Sequence, residues 1–125
     1  PNSITSVTAG QTLTVDDNGK TLLLGDAASG NITLPAVTVT GFTVRVWCNF
    51  TITTSSAVLS AEGDNISGVL VVNGASVVAA AEDQINFIAN TALTGDWAEF
   101  VSTGTTWLCT GVAQAAGGIT ATDPA

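Results

Sequence analysis

Ten acidic and two basic side chains are all that this 125-residue sequence offers for proton transfer or cation binding, apart from two cysteines; His and Tyr are absent. Four carboxylate pairings stand out: Asp16-Asp17, Glu62 with Asp64, Glu82-Asp83, and Asp96 with Glu99. Two carboxylates flanking a glycosidic bond can divide acid and base or nucleophile roles between them. All but the last pair fall in turn-like contexts, where Asp characteristically caps backbone amides. Loop carboxylates could also hold calcium, and Asp16-Asp17-Asn18-Gly19 and the Glu62/Asp64 pair are the candidates. The first lacks the spacing of an EF-hand loop and is explained as a turn. Without His, a hydrolytic triad has no ordinary base. No Gly-x-Ser-x-Gly elbow, phosphate loop or dinucleotide-binding glycine pattern is present. Cys48 and Cys109 are too few for a zinc site. Each lies in an apolar run, WCNF and WLCT, as a buried thiol behaving as a small hydrophobe would. A bridge between neighbouring strands stays open for an oxidising compartment. The sequence therefore points away from an enzyme, with no catalytic residue, cofactor or metal site expected.

Composition sets what must carry the remaining chemistry. The net charge is −8, and Lys20 and Arg45 are the only cations. Nucleic-acid affinity comes mainly from Lys and Arg neutralising phosphates, and anionic membrane surfaces need the same residues. Both partners are excluded on this reading. No run is long and apolar enough to span a bilayer as a helix, and no signal peptide is visible. The lack of Met and the start at Pro1 are expected of a complete short gene product whose initiator Met has been trimmed. Apolar residues make up 46% of the chain, enough for one core, while charged residues make up 10%, against about 25% in an average domain. Thr, Ser, Asn and Gly must cover the surface. Thr occurs twenty times, and its β-branched side chain suits a pleated, half-exposed surface. Long polar helix formers are scarce, so strands are favoured over water-facing helices.

Short runs with period-two alternation recur, separated by Gly, Asn, Asp and Ser. Gln11 to Val15, with Leu13 and Val15 on one face, and Lys20 to Leu24 flank Asn18-Gly19, a strong hairpin signal. Asn31 to Leu34 ends at Pro35, which cannot donate to a ladder. The longest run, Phe42 to about Ile52, places Phe42, Val44, Val46, Cys48 and Phe50 on one face and Arg45 and Trp47 on the other. Val58-Leu59 is brief. Val69 to Val72 is continuously apolar, as in a strand covered on both sides. Asn73-Gly74 turns it into Ser76 to Ala79. Gln84 to Ala89 carries Ile85 and Phe87 inward, and Trp97 to Ser102 with Thr105 to Gly111 flank Thr103-Gly104. About ten short strands at this spacing predict an all-β fold: an antiparallel β-sandwich or jelly-roll-like single domain over residues 11–111. Residues 1–10 and 112–125 have little to bury and are expected to be an N-terminal arm and a C-terminal extended arm held by neighbouring subunits; the alternative is that both termini dock on their own domain.

Trp47, Trp97 and Trp107 could together form a sugar-stacking platform, but Trp47, on the polar face of its strand, is the one most suited to packing against another subunit, and that is the stronger reading. With the arms, this gives an expected partner interface of Pro1, Asn2, Ile4, Trp47, Ile119, Thr120 and Pro124.

The order of several motifs carries a resemblance. TLTVDDNGKTLLLGDAASGNITLPA, from Thr12 to Ala36, resembles the opening of β-rich domains in virion proteins of tailed bacteriophages. Glu62-Gly63-Asp64-Asn65-Ile66-Ser67-Gly68 looks like the middle of such domains. Val101-Ser102-Thr103-Gly104-Thr105-Thr106-Trp107 is similar to their recurrent closing hairpin, with Thr103 where Asp is usual. The resemblance covers about residues 12–111. It implies a structural virion component: a capsid decoration (cement) protein on the capsid exterior, assembled in the host cytoplasm, homotrimeric, and bound to the major capsid protein and to copies of itself. A tail-fibre, spike or knob module is the alternative, and a carbohydrate-binding adhesin is the alternative from another class.

Overall fold

The computed structural model of the protein describes residues 3–25 and 30–123. Its elements in chain order are β1 (Ile4–Val7), β2 (Gln11–Thr12), a 3-10 turn (Val15–Asp17), β3 (Thr21–Leu24), β4 (Ile32–Thr33) and β5 (Thr43–Cys48). There follow β6 (Ser56–Leu59), β7 (Ile66–Val72), β8 (Ala75–Glu82), β9 (Gln84–Phe87), β10 (Trp97–Ser102), β11 (Trp107–Ala113) and β12 (Ile119–Thr122). The fold is all-β: a seven-stranded sheet, ordered β1-β3-β5-β10-β11-β7-β8, packs on a five-stranded sheet, ordered β12-β9-β6-β4-β2.

The sandwich matches the expectation, but its pairing is mixed rather than purely antiparallel. From β1 to β6 the chain alternates between the sheets. Ile4 therefore lies beside Thr21, and Thr21 beside Arg45, in parallel register. Gln11, Ile32 and Val58 form the corresponding parallel row in the other sheet. Each return to a sheet follows an excursion through its partner sheet, which is the long connection that parallel neighbours require. β7 also joins β11 in parallel. The Asn18-Gly19 turn is thus an arch between sheets, not a hairpin. Gly19 takes the left-handed conformation there, at φ 83°, and the arch is tied down by Thr43, whose N–H donates to Asn18 Oδ1 and whose carbonyl accepts from Gly19 N–H. Val15 leaves the strand for the 3-10 turn and is 59% exposed.

The later turns behave as expected. Asn73 and Gly74, both at positive φ, close the β7–β8 hairpin, and β10 and β11 pair antiparallel across residues 103–106. Phe42, Val44, Val46 and Cys48 are buried, but β5 stops at Cys48 and Phe50 is exposed. β7 is covered on one face only: Leu70 and Val72 are buried while Val69 and Val71 are exposed.

Neither expected arm is free over its described part. β1 pairs with β3 and buries Val7. β11 runs on to Ala113, and β12 pairs with β9, burying Ile119. Small residues and two glycines hide this in the sequence, yet one well-placed Ile suffices to dock an edge strand. Between the sheets, Leu22, Leu24, Val44, Val46, Leu70 and Phe100 meet Ile32, Val58, Ile85, Phe87 and Ile119 in one core. Phe42 packs edge-on against Trp107 at 5.8 Å between ring centroids, a favoured aromatic geometry.

Candidate interaction surface

Several of the carboxylates expected in pairs have partners of their own. Asp17 accepts from Lys20 Nζ at 2.7 Å and from Thr14 N–H at 2.8 Å. Burial pushes its carboxyl up, but these hydrogen bonds and the Lys20 charge outweigh that and hold it below its ordinary value. Glu62 Oε2 accepts from Val37 N–H at 3.0 Å, bracing a loop. Asp96 is buried and accepts from the N–H groups of Leu93 and Gln114 and from Gln114 Nε2. Glu99 instead faces outward and pairs with Arg45 at 2.7 Å. Asp17, Glu62, Asp96 and Glu99 thus each serve a structural bond of their own.

Tertiary structure does gather one set of acids. Carboxylate oxygens of Asp64, Asp83 and Asp123 lie within 4.8 Å of one another. Asp64 was expected with Glu62 as a calcium candidate. Its neighbours are instead acids far away in sequence, brought together by the β8–β9 corner and the end of β12. Three hard oxygens could contribute to a divalent-cation site, although exposed acids group in this way commonly without an ion. A hydrogen bond to Asp83, with further repulsion from Asp64 and Asp83, pushes the Asp123 carboxyl up to about 6. The cysteines are free and buried. Burial, and for Cys48 also the charge of Asp96, raises Cys48 to about 12, and burial raises Cys109 to about 11. β10 separates their strands, so they are not on neighbouring strands.

The outer face of the seven-stranded sheet is different in character. Register defines its rows. One row runs Leu23, Trp47, Trp97, Val112, Val71 and Ser76. The next runs Ile4, Thr21, Arg45, Glu99, Thr110, Val69 and Val78. A third holds Thr43, Val101, Leu108 and Ser67. Val69, Val71, Val78, Leu108 and Val112 are 41–64% exposed. Trp47 and Trp97 are half-buried and stack on each other, 5.5 Å apart at 21°. The charges in these rows are Arg45 and Glu99, and they neutralise each other. The exposed apolar area of these five residues is on the order of 400 Å², within what a monomer leaves open in one patch, and Ile4 stands apart from it on the opposite edge strand. The opposite sheet is dressed with amides and hydroxyls: Gln84 Nε2 donates to Asn86 Oδ1, and Asn86 Nδ2 donates to Thr120 and Thr122.

The expected interface residues distribute unevenly. Trp47 and Ile4, the latter 70% exposed, lie on the apolar face. Thr120 is on the polar sheet and bonded within it. Ile119 is a correction: its side chain is spent in the protein's own core. Pro1, Asn2 and Pro124 lie outside the described residues. The sequence reading left Trp97 and the exposed valines out of the interface, and of its three-tryptophan platform Trp97 stacks on Trp47 while Trp107 is buried in the core. Alternation in WAEFVS, with Ala98 and Phe100 inward, was the signal that Trp97 faces outward; its place beside Trp47 comes from the β5–β10 register. For Val69 and Val71 there was none, because a continuous apolar run does not say which face is covered.

A scan against protein-family models and a search of the curated proteins both found no match to this chain. The class defined by fold and surface is therefore that of an all-β sandwich with one apolar and one polar outer face.

Proposed function

We propose that this protein is a structural component of a virion, a head decoration protein that docks on the capsid exterior through the outer face of its seven-stranded sheet. The observation that carries the reading is that face: Val69, Val71, Val78, Leu108 and Val112 exposed on β11, β7 and β8, beside a self-neutralised Arg45–Glu99 pair, on a chain of net charge −8. A patch of this size on a monomer is often functional, and docking would bury it at about 25 cal/mol per Å². The order of the Thr12–Ala36, Glu62–Gly68 and Val101–Trp107 motifs supports a tailed-phage setting. On this reading the partners are the major capsid protein and copies of the chain itself, and the role is mechanical, without catalysis or cofactor. Many modest contacts, repeated on a symmetric shell, add up to a firm hold.

The experiment mixes purified protein with undecorated heads and images them. Regular density on the shell lattice is expected, and Leu108→Lys with Val69→Lys should strip most of it. Bare shells would overturn the reading. Elongated trimers in the same sample would then point to a tail-fibre module.

A further inference from the structure

We propose that Asn73, at the tip of the β7–β8 hairpin, is a self-modifying site, where ring closure with the backbone nitrogen of Gly74 converts the side-chain amide to a carboxylate. The proposal stands on the turn alone and does not depend on shell docking. The chain has two Asn-Gly steps, Asn18-Gly19 and Asn73-Gly74. In such a step no side chain shields the glycine nitrogen, and it can approach Cγ of the asparagine before it. The other described asparagines precede Ile, Phe or Thr, whose side chains crowd that nitrogen. Sequence ranks the two Asn-Gly steps equally, but the fold does not.

At Asn18 both reacting groups are occupied. Its Oδ1 accepts from Thr43 N–H at 2.9 Å, and Gly19 N–H donates to the Thr43 carbonyl at 2.7 Å. Ring closure there must break both bonds. At Asn73 the backbone N–H donates to the Ala113 carbonyl at 2.9 Å, which anchors the residue without engaging the atoms that react. Among the described residues, neither the Asn73 side chain nor Gly74 N–H makes a hydrogen bond. Both residues are exposed, and a Cβ at Gly74 would meet nothing within 4 Å. The pair sits at φ 51° and 77°, the left-handed turn that a two-residue hairpin favours. Bringing Gly74 N onto Cγ requires Asn73 to rotate out of that turn. A hairpin tip opens locally in this way more readily than an arch bonded on both sides.

The chemistry balances with water and solvent base alone. Base takes the Gly74 N–H proton, the N–Cγ bond forms, and the Cγ–Nδ2 bond breaks with Nδ2 leaving as ammonia. Water then opens the cyclic imide. Cleavage at Cγ gives an aspartyl residue, and cleavage at the backbone carbonyl gives an isoaspartyl residue, whose chain runs through Cβ and Cγ. Either product takes the net charge one unit beyond −8. The isoaspartyl form also adds a backbone carbon to a turn whose length sets the register, so the Val72–Ala75 end of the ladder loosens.

The test incubates the full folded chain in mildly alkaline buffer and follows positions 18 and 73 by peptide mass mapping, which reads the exchange of an amide for a carboxyl. Enzymatic methylation of isoaspartyl groups is the second readout. Conversion at Asn73 is expected to run about tenfold or more faster than at Asn18, the factor that two ordinary hydrogen bonds are worth. In denaturant the two positions should convert at similar rates, which assigns the difference to the fold. Asn73→Gln, which would have to close a larger and slower ring, should remove the methylation signal from that turn. Equal rates in the folded chain, faster conversion at Asn18, a preference for Asn73 that persists in denaturant, or a folded chain that keeps its Asn73 amide while the denatured chain loses it would each overturn the proposal. Should the variant misfold, the comparison of the two positions in the unsubstituted protein decides by itself.

Discussion

Asp123 is a residue whose protonation belongs to the fold. Its carboxyl is raised to about 6 from an ordinary value of 3.8 by the hydrogen bond to Asp83 and by the neighbouring charges. Between those two values the folded chain holds a proton that the unfolded chain has released, so this group adds stability as pH falls through 6 toward 4. Asp17 works in the opposite sense, and its contribution is lost as pH falls below the ordinary carboxylate range. We therefore expect melting temperature to rise from pH 7 to pH 4.5, and Asp123→Asn to flatten that rise. Equal pH profiles for the two proteins would rule this out. The thiols give a second residue-scale expectation. With Cys48 and Cys109 buried and raised to about 12 and 11, almost no thiolate exists at neutral pH. A chromogenic disulfide reagent should titrate no thiol in the native protein and both after unfolding in denaturant. Fast native labelling of either would contradict the burial. Neither cluster nor spacing in the sequence revealed the Asp64–Asp83–Asp123 group, because its members meet only at a corner between sheets.

At the scale of elements, β12 shows how little sequence a strand needs. Ile119 is its one fully buried large side chain, opposite Phe87 of β9. Ile119→Ala should cost about 2–5 kcal/mol in a denaturant titration, as large-to-small core changes do; a cost near zero would mean that the strand does not dock. Gly68 shows the reverse, a position where any side chain is too much, since a Cβ there would collide with the Cys109 carbonyl. The elements best read from sequence were those with clean alternation and a local turn, namely β5, β9 and the β7–β8 and β10–β11 hairpins. Asn18-Gly19 carried an equally good hairpin signal and became an arch, because the strand before it found its partner in the other sheet. A turn motif fixes the local backbone, whereas pairing is chosen by which surfaces can be buried together.

For the whole molecule, the two outer faces divide the labour. The five-stranded sheet wets itself with Gln84, Asn86, Thr120 and Thr122. The seven-stranded sheet keeps its valines, Leu108 and the Trp47–Trp97 stack toward the outside. The proposed shell docking belongs to this scale because no single residue would supply it. Composition alone determined the class of fold: a β-branched, charge-poor, turn-rich chain cannot make water-facing helices and can make sheets. Composition also set the net charge of −8, and local alternation chose most inward residues. Only the tertiary structure decided that half the ladders run parallel, that Ile119 belongs to the core, that the acids converge at one corner, and which side of β7 stays open. Burial and pairing depend on which distant segments lie alongside, and period-two spacing gives the two faces of a strand without saying which one a neighbour will cover.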